Sequence, residues 1–127
     1  MKIGWIGTGV MGGVMAGHWL AAGHELTLHS RTRRKAEPLL ARGARWAESP
    51  RQAAEGADLV GVMVGFPKDV EQVILGPAGA LDAMRPGTIL IDFTTSRPSL
   101  AVQIAETAAA RGVMALDAPV SGGDIGA

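Results

Sequence analysis

The 127-residue chain contains no cysteine, which excludes disulfides and thiolate metal sites. Its three histidines, His18, His24 and His29, are scattered. They read as helix, turn and strand-end residues, and no metal is expected. An excess of charge is missing as well: twelve basic and twelve acidic residues cancel, so nothing draws the whole chain towards nucleic acid or an anionic membrane. Any anion site must be local. Long apolar runs are absent too. The longest, residues 59–66, falls far short of the ~20 residues that span a bilayer. Glycines interrupt the first residues before a signal-peptide core forms. These absences lead to the expectation of a soluble, cytoplasmic protein with neither nucleic acid nor membrane as partner.

What is present suits one folded domain. Hydrophobic residues make up 47% of the chain and charged residues 19%, enough for a core and without the signature of disorder. Short β-favouring segments at 2–6, 25–30, 58–64, 88–94 and 113–120 alternate with helical patterns at 11–22, 33–42, 67–75 and 98–111, with a short helical piece at 50–55. The runs "DLVGVMV" and "TILIDF" are nearly continuous in apolar residues, as strands of a parallel sheet covered on both faces are. Ser49 before Pro50 reads as a helix N-cap, and Gly23, Gly43 and Gly112 fall just past helices. Pro38, inside the second helical pattern, should kink or shorten it. The alternation predicts an α/β fold with a doubly wound parallel sheet, whose ligands bind beyond the carboxyl ends of the strands.

At such an end stands Gly7-Thr8-Gly9-Val10-Met11-Gly12, a G-x-G-x-x-G between a strand and a helix. In this pattern the first glycine allows a tight turn, the second lets a pyrophosphate approach the backbone, and the third lets helix and strand pack closely. Free N–H groups at the helix N-terminus meet the phosphate charge. Gly13, Ala16 and Gly17 continue the small residues and are expected to pack against the sheet. The stretch thus points to a dinucleotide.

The end of the second strand chooses between cofactors. An acid there would bind the ribose 2′-hydroxyl of NAD, but the chain has "LHSRTRR". Ser30, Arg31 and Thr32 are placed at the cofactor, with Arg31, backed by Arg33 and Arg34, pairing with a 2′-phosphate. NADP is the preferred cofactor and NAD the second. Arg34 and Lys35 read as a solvated helix start with Thr32 as its N-cap.

"IGWIGTGVMGGVMAGHWLAAGHELTLHSRT", "DLVGVMVGFPKDVEQVILGPAGAL", "PGTILIDFTTSRPSLA" and "LDAPVSGGDIGA" together resemble the β-hydroxyacid dehydrogenase family, which includes 3-hydroxyisobutyrate dehydrogenase, tartronate semialdehyde reductase and 6-phosphogluconate dehydrogenase. The resemblance covers essentially the whole chain. It implies a Rossmann-type domain over residues 1–127, the cofactor-binding part of an oxidoreductase that passes hydride between nicotinamide and a small 3-hydroxy acid. Met63, Val64 and Gly65 would border the cofactor, and Thr94 or Thr95 would contact its nicotinamide side. Ser121, Gly122 and Gly123 would bind the substrate carboxylate, for which a hydroxyl and bare backbone N–H groups after a strand are also physically suited.

The chain departs from the family at Gly65, where proline is usual and whose freedom would loosen the loop, and at His18-Trp19, in place of Asn-Leu, which reads as packing. The resemblance also implies a general acid/base lysine on a later helix and a C-terminal helical domain, neither found in these residues. Lys2, Lys35 and Lys68 are not placed to substitute, and no Ser/His/Asp nucleophile set is evident. No catalytic residue is therefore assigned, and the chain alone is expected to bind without turnover.

In the order 3-2-1-4-5-6 a strand beside residues 113–120 would be missing. That apolar edge would then be open to pairing, which predicts a homo-oligomer. Two alternatives remain: a free-standing module that senses the dinucleotide or presents it to a partner, and an imine-reducing relative.

Overall fold

The computed structural model describes residues 1–94 and 97–120. Six strands, β1 (Lys2–Ile6), β2 (Glu25–His29), β3 (Arg45–Trp46), β4 (Leu59–Val62), β5 (Ile89–Asp92) and β6 (Met114–Asp117), form one sheet. Every pairing is parallel. The order β3-β2-β1-β4-β5-β6 is that of a doubly wound Rossmann sheet. The helices α1 (Val10–Ala21), α2 (Glu37–Leu40), α3 (Pro50–Ala54), α4 (Pro67–Leu75) and α5 (Pro98–Ala110) lie in the crossovers.

Alternate residues of a strand face opposite ways, so β1 feeds two cores. Ile3 and Trp5 join Ala16 of α1, Leu26 and Leu28 of β2 and Leu39 of α2. Ile6 joins Val60 and Val62 of β4, Val70 and Ile74 of α4, and Leu100 and Ile104 of α5. Cover on both faces explains why β4 reads as an apolar run instead of an alternation.

Local signals act as their chemistry requires. Ser49 Oγ accepts a hydrogen bond from the Gln52 N–H at 3.1 Å, which caps α3. Gly23, Gly43 and Gly112 take positive φ just past their helices. Pro38 divides its segment into a 3-10 turn over Arg33–Ala36 and the four-residue α2.

One strand and one 3-10 turn, Ala80–Ala83, escaped the sequence periodicity. Two residues, Arg45 and Trp46, are too few to show a period, yet they pair with Thr27 and Leu28 of β2. Their presence corrects the strand count. The sixth place in the order belongs to β6 itself, not to a missing strand beside it. Among the described residues β6 still pairs with β5 alone, with Met114 and Leu116 exposed. Strand pairing past Asp117 continues through the Ala118 N–H to the Asp92 carbonyl at 2.8 Å.

Candidate functional site

The direction of the winding reverses between β1 and β4, and a crevice opens there at the carboxyl ends of the strands. In β1, beside it, Trp5 is fully buried. The indole lies against β4 because position 61 is glycine: a Cβ there would strike the Trp5 ring edge. From this bed Trp5 Nε1 donates to the Gly7 carbonyl at 2.7 Å. The Gly7 N–H reaches the His29 carbonyl at 2.9 Å, and the Met63 N–H reaches the Ile6 carbonyl at 2.9 Å. The turns after β1 and β4 are thus tied to the ends of the sheet.

The three motif glycines have separate reasons. Gly7 has φ +110°, and a Cβ on it would strike the Met63 carbonyl. A Cβ on Gly12 would strike the Gly7 carbonyl. Gly9 is extended, with φ −66° and ψ −170°, and a Cβ there meets nothing within 4 Å. The space above Gly9 is therefore left free for something other than the protein.

Most of the cofactor residues proposed from sequence meet in one cleft of about 500 Å³. Gly7, Thr8, Gly9, Val10, Met11 and Gly12 line one side, Ser30, Arg31 and Thr32 the end of β2, and Met63, Val64 and Gly65 the loop after β4. A hollow of about 200 Å³ adjoins it between the end of β2 and α4. Thr94 is placed differently. It is buried beneath the loop, where its Oγ1 accepts from the Val64 N–H at 2.9 Å, while its own N–H donates to Asp92 Oδ1 at 2.9 Å. It positions the loop. Thr95, Ser121, Gly122 and Gly123 lie outside the described residues.

The basic residues behave unequally. Arg31 Nη2 donates to Asp69 Oδ1 at 2.8 Å, an ion pair between an exposed guanidinium and a buried carboxylate. Arg33 lies over the Trp46 ring, 5.6 Å from its centroid, and is not among the cleft residues. Lys35, expected to be only solvated, is exposed but also lines the cleft. Among the small residues of α1, Ala16 packs on the sheet side, whereas Gly17 faces α2. A Cβ on Gly17 would lie 3.1 Å from Arg42 Nη1, so its smallness serves the helix pair and not the sheet. His29 Nδ1 lies 2.9 Å from the Ala47 carbonyl, in keeping with a strand-end residue.

Asp69 is the residue that sequence reasoning missed. It stands in the first turn of α4, 38 positions from Arg31. The available signal was an acid at the start of the helix that follows the β4 loop, on the same edge of the sheet as the glycine turn.

The cleft fits a dinucleotide by its own features. Thr8 Oγ1 is buried without a hydrogen-bond partner beside the glycine turn, and a buried hydroxyl in that state calls for an acceptor or donor from outside the chain. The open space at Gly9 and the N-terminus of α1 supply the approach and the field that a phosphate needs. Among the described residues no group of His, Asp or Glu could hold a metal ion, and no helix is long and apolar enough to cross a membrane.

Comparison with known proteins agrees with this geometry. Residues 2–127 match the family described as the NAD binding domain of 6-phosphogluconate dehydrogenase. The chain is 52% identical over 127 residues to the probable 3-hydroxyisobutyrate dehydrogenase-like 1, mitochondrial, of Arabidopsis thaliana, covering 99% of this chain and 38% of that protein. A 3-hydroxyisobutyrate dehydrogenase of Mycobacterium tuberculosis, solved with L-serine, superposes with a TM-score of 0.87 at 31% identity, over 97% of this chain and 41% of its own. An imine reductase from Myxococcus stipitatus in complex with NADP+ superposes with a TM-score of 0.83 at 29% identity, over 92% of this chain and 40% of its own. The chain spans about two fifths of the length of such relatives.

Proposed function

Because the chain belongs to the family of the NAD binding domain of 6-phosphogluconate dehydrogenase, we propose that residues 1–127 are the cofactor-binding domain of an NADP(H)-preferring oxidoreductase acting on a small 3-hydroxy acid. That it is an NAD(P)-binding domain of 3-hydroxyisobutyrate dehydrogenase-like oxidoreductases stands on the family match and its relatives. The preference for NADP(H) rests on a single observation. The end of β2 presents Ser30, Arg31 and Thr32 to the cleft, joined by Lys35, and carries no acid where a 2′-hydroxyl would be held.

In this reading the backbone N–H groups around Gly9 and the Thr8 hydroxyl hold the pyrophosphate, and Arg31 and Lys35 hold the 2′-phosphate. The loop at Met63, Val64 and Gly65, supported by Thr94, borders the nicotinamide half, which Thr95 contacts. Ser121, Gly122 and Gly123 take the substrate carboxylate. When bound, the dinucleotide supplies the hydride chemistry; the chain binds and orients it. No lysine of the chain takes the acid/base role. Lys2 begins β1 at the far end of the sheet, Lys35 follows β2, and Lys68 opens α4. The isolated chain accordingly binds without turnover, and the open edge at β6 joins copies of it.

Titration with NADPH and with NADH, followed by nicotinamide fluorescence, tests the reading. Tighter binding of NADPH is expected; binding of neither, or tighter NADH, overturns it. A second reading, reduction of an imine, draws on the likeness to the Myxococcus stipitatus imine reductase and is separated from the first by whether a 3-hydroxy acid or an imine tightens the binding of NADPH.

A further inference from the structure

Resting on the assignment of Arg31 to the 2′-phosphate, we propose that Asp69 sets the degree of cofactor preference, acting as a resident counter-ion that tempers the affinity of Arg31 for that phosphate. The two side chains are joined at 2.8 Å, with 81% of the Arg31 side chain and 10% of the Asp69 side chain exposed. Both line the same cleft. The carboxylate is the fixed member. It sits in the first turn of α4, where the helix field favours negative charge, and its backbone N–H is held by the Phe66 carbonyl at 2.9 Å. The exposed guanidinium is the member free to move.

A guanidinium carries five N–H donors, and the pair engages one of them on Asp69. Donors therefore remain for a phosphate without breaking the pair. The charge does not remain. A phosphomonoester brings about −1.5 to −2 at neutral pH, and with Asp69 in place the local cations Arg31 and Lys35 are offset by one carboxylate. An incoming 2′-phosphate meets both a partly neutralised Arg31 and a nearby like charge. NADH, lacking that phosphate, is indifferent to the pair. Asp69 thus lowers the affinity for one cofactor only, which keeps the second within reach of the same cleft.

Asp69→Asn tests this, because the amide oxygen can still accept from Arg31 while the charge is gone. The 127-residue chain and its variants D69N, R31A and R31A/D69N are titrated with NADPH and NADH at low and high salt. The expected result is NADPH bound on the order of tenfold more tightly by D69N at low salt, with a smaller gain at high salt. NADH affinity should be unchanged, and the gain in NADPH affinity from D69N should be smaller in the R31A background, where only the direct repulsion between Asp69 and the phosphate is relieved. Unchanged or weaker NADPH binding in D69N, while R31A still abolishes the preference, overturns the counter-ion role alone. Weaker NADH binding in a folded D69N overturns it too, since Asp69 would then serve a ribose hydroxyl. A preference that survives R31A removes the assignment of Arg31 and the inference with it. Should D69N lose its helical circular dichroism, Asp69→Ser removes the same charge with a smaller side chain and is held to the same outcomes.

Discussion

Trp5 Nε1 donates a 2.7 Å hydrogen bond to the Gly7 carbonyl, so a side chain in the core directly holds the first glycine of the phosphate turn. Trp5→Phe would keep an aromatic ring and leave that buried carbonyl without its donor. The expected cost is about 1–3 kcal/mol, read by urea denaturation. NADPH and NADH affinities should fall together, leaving their ratio as it was, because the turn serves both cofactors alike. A variant as stable as the parent would show that the bond contributes nothing.

The same indole constrains its neighbour strand. Gly61→Ala drives a methyl group into the edge of the Trp5 ring, and overpacking of this kind costs about 1–3 kcal/mol. In a Trp5→Phe background the smaller ring leaves room, so the two substitutions should be less harmful together than their sum. A double-mutant cycle by thermal denaturation measures this coupling; strict additivity would refute the contact as the cause.

Gly7 and Gly9 separate the fold from the ligand. Gly7→Ala meets both a positive φ and the Met63 carbonyl, and should lower the melting temperature as well as abolish binding. Gly9 has an ordinary extended backbone and open space at its Cβ position. Gly9→Ala should melt with the parent and still lose affinity for both dinucleotides. If it binds as the parent does, the cofactor backbone does not pass over Gly9.

These residues show what could be read from sequence and what could not. The glycine turn was legible because its demands are local, falling within six residues between a strand and a helix. Gly61 carried no such signal, since its constraint comes from Trp5 in the adjacent strand. The Arg31–Asp69 pair was invisible for the same reason. A Rossmann cofactor site carries its acid at the end of β2, whereas here the acid comes from the start of α4. Arg45 and Trp46 form a strand only because β2 offers its edge. Pro38, by contrast, acts on its own segment, and the broken helix there was foreseen. Of the candidate site, the turn, the end of β2 and the β4 loop line one cleft, whereas Thr94 supports that loop from below.

Thr94→Val removes the acceptor of the Val64 N–H and changes the side-chain volume little. A buried donor without a partner costs about 1–3 kcal/mol, and the Val64 amide should exchange faster with solvent. Both cofactors should bind more weakly as the loop at 63–65 loosens. Thr94→Ser keeps the hydroxyl and should restore slow exchange; failure of that rescue would move the cause from the hydrogen bond to the lost methyl packing.

The edge strand β6 supplies the last test. Met114 and Leu116 alternate along it with the same orientation and are 60% and 47% exposed, while among the described residues the strand pairs with β5 alone and its other side offers backbone groups for pairing. Association of two copies there would protect the backbone of β6 from amide exchange and remove both side chains from water. Sedimentation of the chain over a range of concentrations should show dimers. Leu116→Lys, which adds a charge to an exposed position without touching either core, should shift the population to monomer with the fold retained. A parent chain that stays monomeric at high concentration, with fast exchange along Met114–Asp117, would exclude β6 as the joining edge.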